Sequence, residues 1–119
     1  RAAITVNQIA AGPTLNKAIT WTNGDAAEDH TMANDGRTLL VVNNTSGGAA
    51  IVQVVSKADP RTGRTGDIGD GSSTVSIATG EVRVFGPYPP ERLNQAGNVV
   101  NINTDTGGAT CRFAGVRLP

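Results

Sequence analysis

Val75-Ser76-Ile77-Ala78-Thr79-Gly80-Glu81-Val82-Arg83-Val84-Phe85-Gly86-Pro87-Tyr88-Pro89-Pro90 is the run in which strand, turn, strand and a proline-braced corner are legible in order. Thr74 to Ile77 and Glu81 to Phe85 read as a hairpin around Ala78-Thr79-Gly80. In its second strand Val82, Val84 and Gly86 face one way and Glu81, Arg83 and Phe85 the other, because successive side chains of an extended chain alternate. Pro87, Pro89 and Pro90 then stop pairing, since proline has no N–H to donate. Pro90 to Leu93 fits one helical turn with proline in its first position. Gly97 permits a left-handed turn. Asn98 to Asn103 and Thr110 to Arg117 are the last two strands, joined by Thr104-Asp105-Thr106-Gly107-Gly108.

Upstream, Thr38 to Asn43 is short, apolar and β-branched, the pattern of a strand buried on both sides or central in a sheet. Asn44-Thr45-Ser46-Gly47-Gly48 turns the chain, and Ala49 to Ser56 follows as the partner strand of a second hairpin. Ala3 to Ile9 alternates loosely around Ile4, Val6 and Ile9, as a strand with a bulge would. Leu15 to Trp21 is a further strand, with Leu15, Ala18, Ile19 and Trp21 as core contacts. Two stretches read as long loops. Residues 23–36 are polar and acidic, with a short helical turn around Ala26 to His30 and an Asn34-Asp35-Gly36 turn that launches the next strand. Residues 57–73 carry Arg-Thr-Gly in tandem and a single apolar side chain, Ile68, apart from Ala58. About eight short strands separated by turn signals predict an all-β fold: one antiparallel β-sandwich, jelly-roll-like or barrel, forming a single domain over residues 1–119.

Composition sets the limits of function. Ten basic and ten acidic residues cancel, so nothing draws the chain to phosphate, and nucleic acid is not an expected partner. Apolar residues make up 38% and aromatics 3%, which suits short strands and many turns and leaves room for stabilisation by neighbouring subunits. No apolar run approaches the roughly 20 residues that cross a bilayer, so no membrane partner is expected. Arg1 leads directly into an alternating segment without a leader-like stretch, and the missing initiator Met leaves room for residues before it.

Chemistry is hard to find. A structural zinc site draws on four ligands, and the chain has one His and one Cys far apart. Glu28-Asp29-His30 would have to turn three adjacent side chains to one ion. Asp67-Ile68-Gly69-Asp70-Gly71 has the start of a calcium loop without its spacing or closing bidentate carboxylate. No nucleophile elbow, phosphate loop or dinucleotide fingerprint occurs, and His30 has no nucleophile near it in sequence. Cys111 lies in an apolar alternating strand, where cysteine acts as a small hydrophobe. The expectation is a protein that is not an enzyme and takes no cofactor and no metal. Trp21 precedes Thr22-Asn23-Gly24 and, if it is not a core contact of its strand, would be exposed as a sugar platform, whereas both phenylalanines are expected in the core.

Ala78 to Pro90, followed by Leu93-Asn94-Gln95-Ala96-Gly97-Asn98-Val99 and the terminal Val116-Arg117-Leu118, resembles small structural proteins of tailed bacteriophages. Asn34-Asp35-Gly36-Arg37-Thr38 leading into Leu39 to Asn44 is similar to that group as well. Where that pattern has an acidic residue before the turn glycine, this chain has Ala96. The resemblance implies a virion component, made in the host bacterial cytoplasm and placed on the capsid surface as a decoration (cement) protein. Its partners would be the major capsid protein and itself, as a homo-oligomer with a trimer favoured. Alternatives are a tail-tube or head–tail joining subunit, or a carbohydrate-binding adhesion module. The candidate contacts lie in an N-terminal arm (residues 1–7, with Arg1 and Ile4) and the two long loops (Arg61, Arg64, Asp67 and Asp70), with Tyr88 as a rigid anchor between prolines. The last third of the chain is expected to hold these contacts in place rather than to make them.

Overall fold

A computed structural model describes residues 2–9, 18–24, 29–55, 74–88, 90, 94–104 and 111–119. Among them the chain is all-β, in ten strands: β1 (Ala2–Ala3), β2 (Val6–Gln8), β3 (Thr22–Asn23), β4 (His30–Ala33), β5 (Thr38–Asn43), β6 (Ala50–Val55), β7 (Thr74–Ile77), β8 (Val82–Phe85), β9 (Val99–Thr104) and β10 (Arg112–Arg117). They form two five-stranded sheets and not a closed barrel. The first sheet runs β1-β4-β9-β6-β7; the second runs β2-β10-β5-β8, with β3 also on β10. Both sheets are mixed, because β1 lies parallel to β4 and β2 parallel to β10.

The period of two explains which side chains are buried. Thr38, Leu40 and Val42 of β5 are buried, while Leu39, Val41 and Asn43 on its other face are half-buried. Ala50, Val52 and Val54 turn inward from β6, and Val100 and Ile102 from β9. Phe113 of β10 joins the cluster with Met32, Ile77, Cys111 and Ile4, so the two sheets share one apolar core. His30 is fully buried and packs against Phe113, their rings tilted by 38° with centroids 4.8 Å apart.

The pairing differs from the expected hairpins. β5 does not pair with β6, nor β7 with β8, nor β9 with β10. All connections except β2 to β3 and β6 to β7 carry the chain from one sheet to the other. β5 instead pairs along its whole length with β10, from Thr38↔Arg117 to Asn43↔Arg112. A glycine-rich turn reverses the chain equally well within a sheet or between two facing sheets, so turn chemistry does not choose between them. Asn44 does. It is fully buried, its amide donates to the Ile77 carbonyl at 2.7 Å and the Gly48 carbonyl at 2.9 Å, and its Oδ1 accepts from the Ser46 N–H at 2.9 Å. Its backbone N–H reaches the Glu81 carbonyl at 3.0 Å and its carbonyl takes the Gly80 N–H at 2.8 Å. The two crossovers are thus tied side by side.

Three further expectations change. Residues 23–36 are not one loop, since β4 runs through them with His30 and Met32 in the core. Residues 18–21 are not strand, and Ile19 is exposed rather than a core contact; Leu15 lies outside the described residues. The segment read as one bulged strand is two strands, because the chain leaves the first sheet after Ala3 and enters the second at Val6, burying Ile4 between them. The glycine turns do form: Gly36 has φ 92°, Gly97 has φ 89° and Asn98 follows at φ 59°. The Asn94 N–H donates to the Pro90 carbonyl at 3.0 Å, while residues 91–93 of the helical turn expected there lie outside the described residues.

Candidate interaction surface

β8 ends the second sheet. Among the described residues only β5 pairs with it, in the register Asn43↔Val82, Val42↔Arg83, Val41↔Val84 and Leu40↔Phe85. Phe85 turns toward the core and packs on it. By alternation this sends Val82 and Val84 to the outer face, where they are 54% and 60% exposed, the most exposed large apolar side chains among the described residues. Val41 lies beside Val84 on that face and is half-buried. The backbone is directed too. The Glu81 carbonyl accepts from Asn44 on the β5 side, so Glu81, Arg83 and Phe85 turn their polar backbone groups toward β5. Val82 and Val84 turn theirs to the open edge. An edge strand with free N–H and C=O groups and apolar side chains is a template for adding another strand.

The charges at this edge are a local pair. Arg83 Nε donates to Glu81 Oε1 at 2.8 Å, both side chains lying on the core-facing side of the strand. The Arg83 guanidinium, and then the Ala78 N–H that also reaches it, hold the Glu81 carboxyl below its ordinary range, while Glu81 pushes the Arg83 guanidinium up. Other edges of the fold are different. On β7, which ends the first sheet, the outward Ser76 is exposed and polar. The outer face of that sheet mixes amide and hydroxyl groups with an exposed aliphatic one: Asn103 donates to Gln53 at 3.3 Å, Asn101 and Thr31 lie nearby in register, and Ile51, opposite Ser76, is 43% exposed.

A cavity of about 470 Å³ opens between the sheets where Val6, Gln8, Asn34, Asp35, Asn98 and Arg117 meet. Gln8, Asn34, Asp35 and Arg117 on its walls are hydrogen-bonded to one another or to neighbouring residues. Arg117 Nε and Nη2 each lie 2.6 Å from Asp35 Oδ2, and Arg117 Nη1 donates to Gln8 at 3.2 Å. The Arg37 N–H, followed by Arg117, holds the Asp35 carboxyl below the usual carboxylate range, against the opposing pull of desolvation. The Asn34 amide donates to the Tyr88 carbonyl and to Asn94 Oδ1. The arrangement braces the start of β5 against the end of β10. Among the described residues no three His, Cys, Asp or Glu side chains converge on a point that could hold an ion.

The expected contact residues fall elsewhere. Arg1, Arg61, Arg64, Asp67 and Asp70 lie outside the described residues. Ile4 is 4% exposed and belongs to the core, so residues 2–7 are not a free arm: they pair with β4 and β10. Tyr88 packs against the core as a corner residue; its hydroxyl is buried with no partner among the described residues, and burial pushes its pKa up. Trp21 is half-buried. Val82 and Val84 were not singled out as contacts from sequence. The signal was present, since an aromatic at Phe85 claims the core face and parity then turns both valines out. No protein-family model, no curated protein and no solved structure matches the chain.

Proposed function

We propose that the protein is a sandwich-like structural component of a phage particle that adheres to the outer capsid surface and stiffens it by bridging capsomers. One observation carries the interaction reading: the exposed apolar strip of Val82 and Val84 on an open sheet edge. The phage assignment draws on the resemblance of Ala78 to Pro90, and β8 lies within that segment. A single strand covers little area against the roughly 800 Å² per partner of a standard interface, so firm attachment comes from many copies acting together. The major capsid protein would meet the valine face. The purified protein mixed with undecorated heads is expected to co-sediment with them and to appear in electron micrographs as regular outer density, with Val84→Lys lowering occupancy at least tenfold. A protein that stays in the supernatant, or that marks only sixfold rings at the tail, overturns the reading.

A further inference from the structure

We infer that β8 pairs with β8 of a second copy of this chain, antiparallel and centred on Val82. This rests on the reading of β8 as an interaction surface and names its first partner. The backbone groups of Val82 and Val84 point away from β5, so two edges can bond only where these residues meet. Three such registers bring the strand centres together, and side-chain charge separates them. Centred on Val82, the two Val82 residues exchange the backbone bonds while Val84 faces Gly80, whose N–H is held by the Asn44 carbonyl. Each Glu81 stands opposite the second copy's Arg83 and each Arg83 opposite its Glu81. Two acids and two bases then alternate around the axis, extending the pair that each copy already holds at 2.8 Å. Centred on Arg83, the two guanidinium groups face each other and Glu81 faces Phe85. Centred on Val84, Arg83 faces Phe85 and Glu81 has no basic partner. An inward-pointing charge on an edge strand normally discourages pairing. Here Glu81, two residues away on the same side, turns that device into a selector of one register.

The twofold axis stands normal to the sheet, so one continuous sheet runs through both copies. The outward valines of both strands then lie together on one side, doubling the apolar strip offered to a third surface. The contact is isologous, which gives a closed dimer rather than a trimer.

Sedimentation velocity on the wild-type chain over about 1 μM to 1 mM tests this. The weight-average mass is expected to rise from the 12.2 kDa of one subunit toward twice that value. Glu81→Arg alone and Arg83→Glu alone each place like charges in opposition and are expected to weaken association at least tenfold. Mixed in equal amounts they restore opposite charges at both positions and are expected to pair, with native mass spectrometry showing one copy of each. That recovery also shows that both variants fold. A wild-type mass that stays at one subunit, a trimer, single variants that pair as wild type does, or a mixture that stays apart would each overturn the pairing. If wild type stays a monomer while head binding still falls with Val84→Lys, the pairing alone is lost. If neither head binding nor self-association responds to β8, the surface reading falls with it.

Discussion

Replacing Asn44 by alanine should unfasten the two crossovers that place β8 at the sheet edge. The side chain is fully buried and serves both limbs: its amide reaches the Ile77 carbonyl at 2.7 Å and the Gly48 carbonyl at 2.9 Å. The Ile77 carbonyl has the most to lose, because that bond is buried and a buried acceptor left bare costs about 1–3 kcal/mol. Gly48 keeps a second donor in Ser46 Oγ at 2.7 Å, and the Ser46 N–H can turn to water, so each adds only about 0.5 kcal/mol. With the space vacated by the amide, the expected loss is about 3 kcal/mol, a large share of the roughly 5–15 kcal/mol that holds a domain of this size. For 119 residues, an unfolding entropy of about 2.1 cal/mol/K per residue converts this to a fall in Tm of about 12 °C. Urea unfolding followed by circular dichroism, run beside a thermal melt, measures both. Asn44→Asp keeps the acceptor but aims a second oxygen at two carbonyls, and should lose more than Asn44→Ala. Ser46→Ala should lose under about 1 kcal/mol, since its hydroxyl sits at the exposed end of the turn. A loss below about 1 kcal/mol for Asn44→Ala, or an equal loss for Ser46→Ala, would refute the hub.

Gly115→Ala should cost about 1–3 kcal/mol in the same unfolding assay, because a Cβ there meets Val6 Cγ2 at 3.0 Å and Val6 Cα and Met32 Sδ at 3.2 Å, and β2 cannot retreat without breaking its ladder to β10. Gly48→Ala, with nothing within 4 Å, should be neutral within about 0.5 kcal/mol. Tyr88→Phe removes a buried hydroxyl that has no partner among the described residues, so stability should hold or rise by up to about 1 kcal/mol; a clear loss would reveal a bond that the hydroxyl makes. Asp35 has a depressed pKa, so its contribution is present above the unfolded carboxylate value of about 4 and fades as pH falls through the lower folded value. Asp35→Asn should therefore flatten the acid limb of the stability curve below about pH 4 and leave its slope near pH 7 unchanged. Hydrogen exchange should show the Arg83 and Phe85 amides protected and the Val82 and Val84 amides exchanging freely at low protein concentration; equal protection of all four would place another strand on that edge.

Local sequence located most strands and misassigned their partners. Thr38 to Asn43 is legible to the residue, because a short apolar run rich in β-branched residues between two turn signals admits little else. Gly36 and Gly97 were legible because only a few residue types tolerate a positive φ. β4 was missed for a physical reason. His30-Thr31-Met32-Ala33 has period two, but one of its two inward residues is an imidazole, which counts as polar until Phe113 is known to pack against it. The hairpins were misread because a strand's inward face looks the same whether its neighbour in sequence lies beside it or across the core. What distinguishes them is Asn44, whose role depends on carbonyls more than thirty residues away. The contact surface was misplaced for a related reason. Polar, glycine-rich segments attract a functional reading, whereas β8 looks like core until its place at the end of the sheet is known.

The same topology that hides the pairing also produces the exposed edge. A β7–β8 hairpin would have put both strands in one sheet and given β8 a partner on its outer side. Because the chain crosses at Ala78 to Glu81 instead, β7 closes the first sheet and β8 closes the second. Each edge must then be managed by its own residues, and the two are treated differently. β7 shows Ser76 to solvent, whereas β8 shows two valines and flanks its backbone edge with one acid and one base on the opposite side. A strand meant only to end a sheet gains nothing from that combination, since exposed valines invite indiscriminate addition and the charge pair adds little stability when solvated. The combination has a use when another strand is to be accepted in one register. The valines then provide contact area and the charges choose the alignment. The short, solvated edge is therefore the part of this fold whose composition stability alone does not explain, and the proposed β8 pairing would account for it.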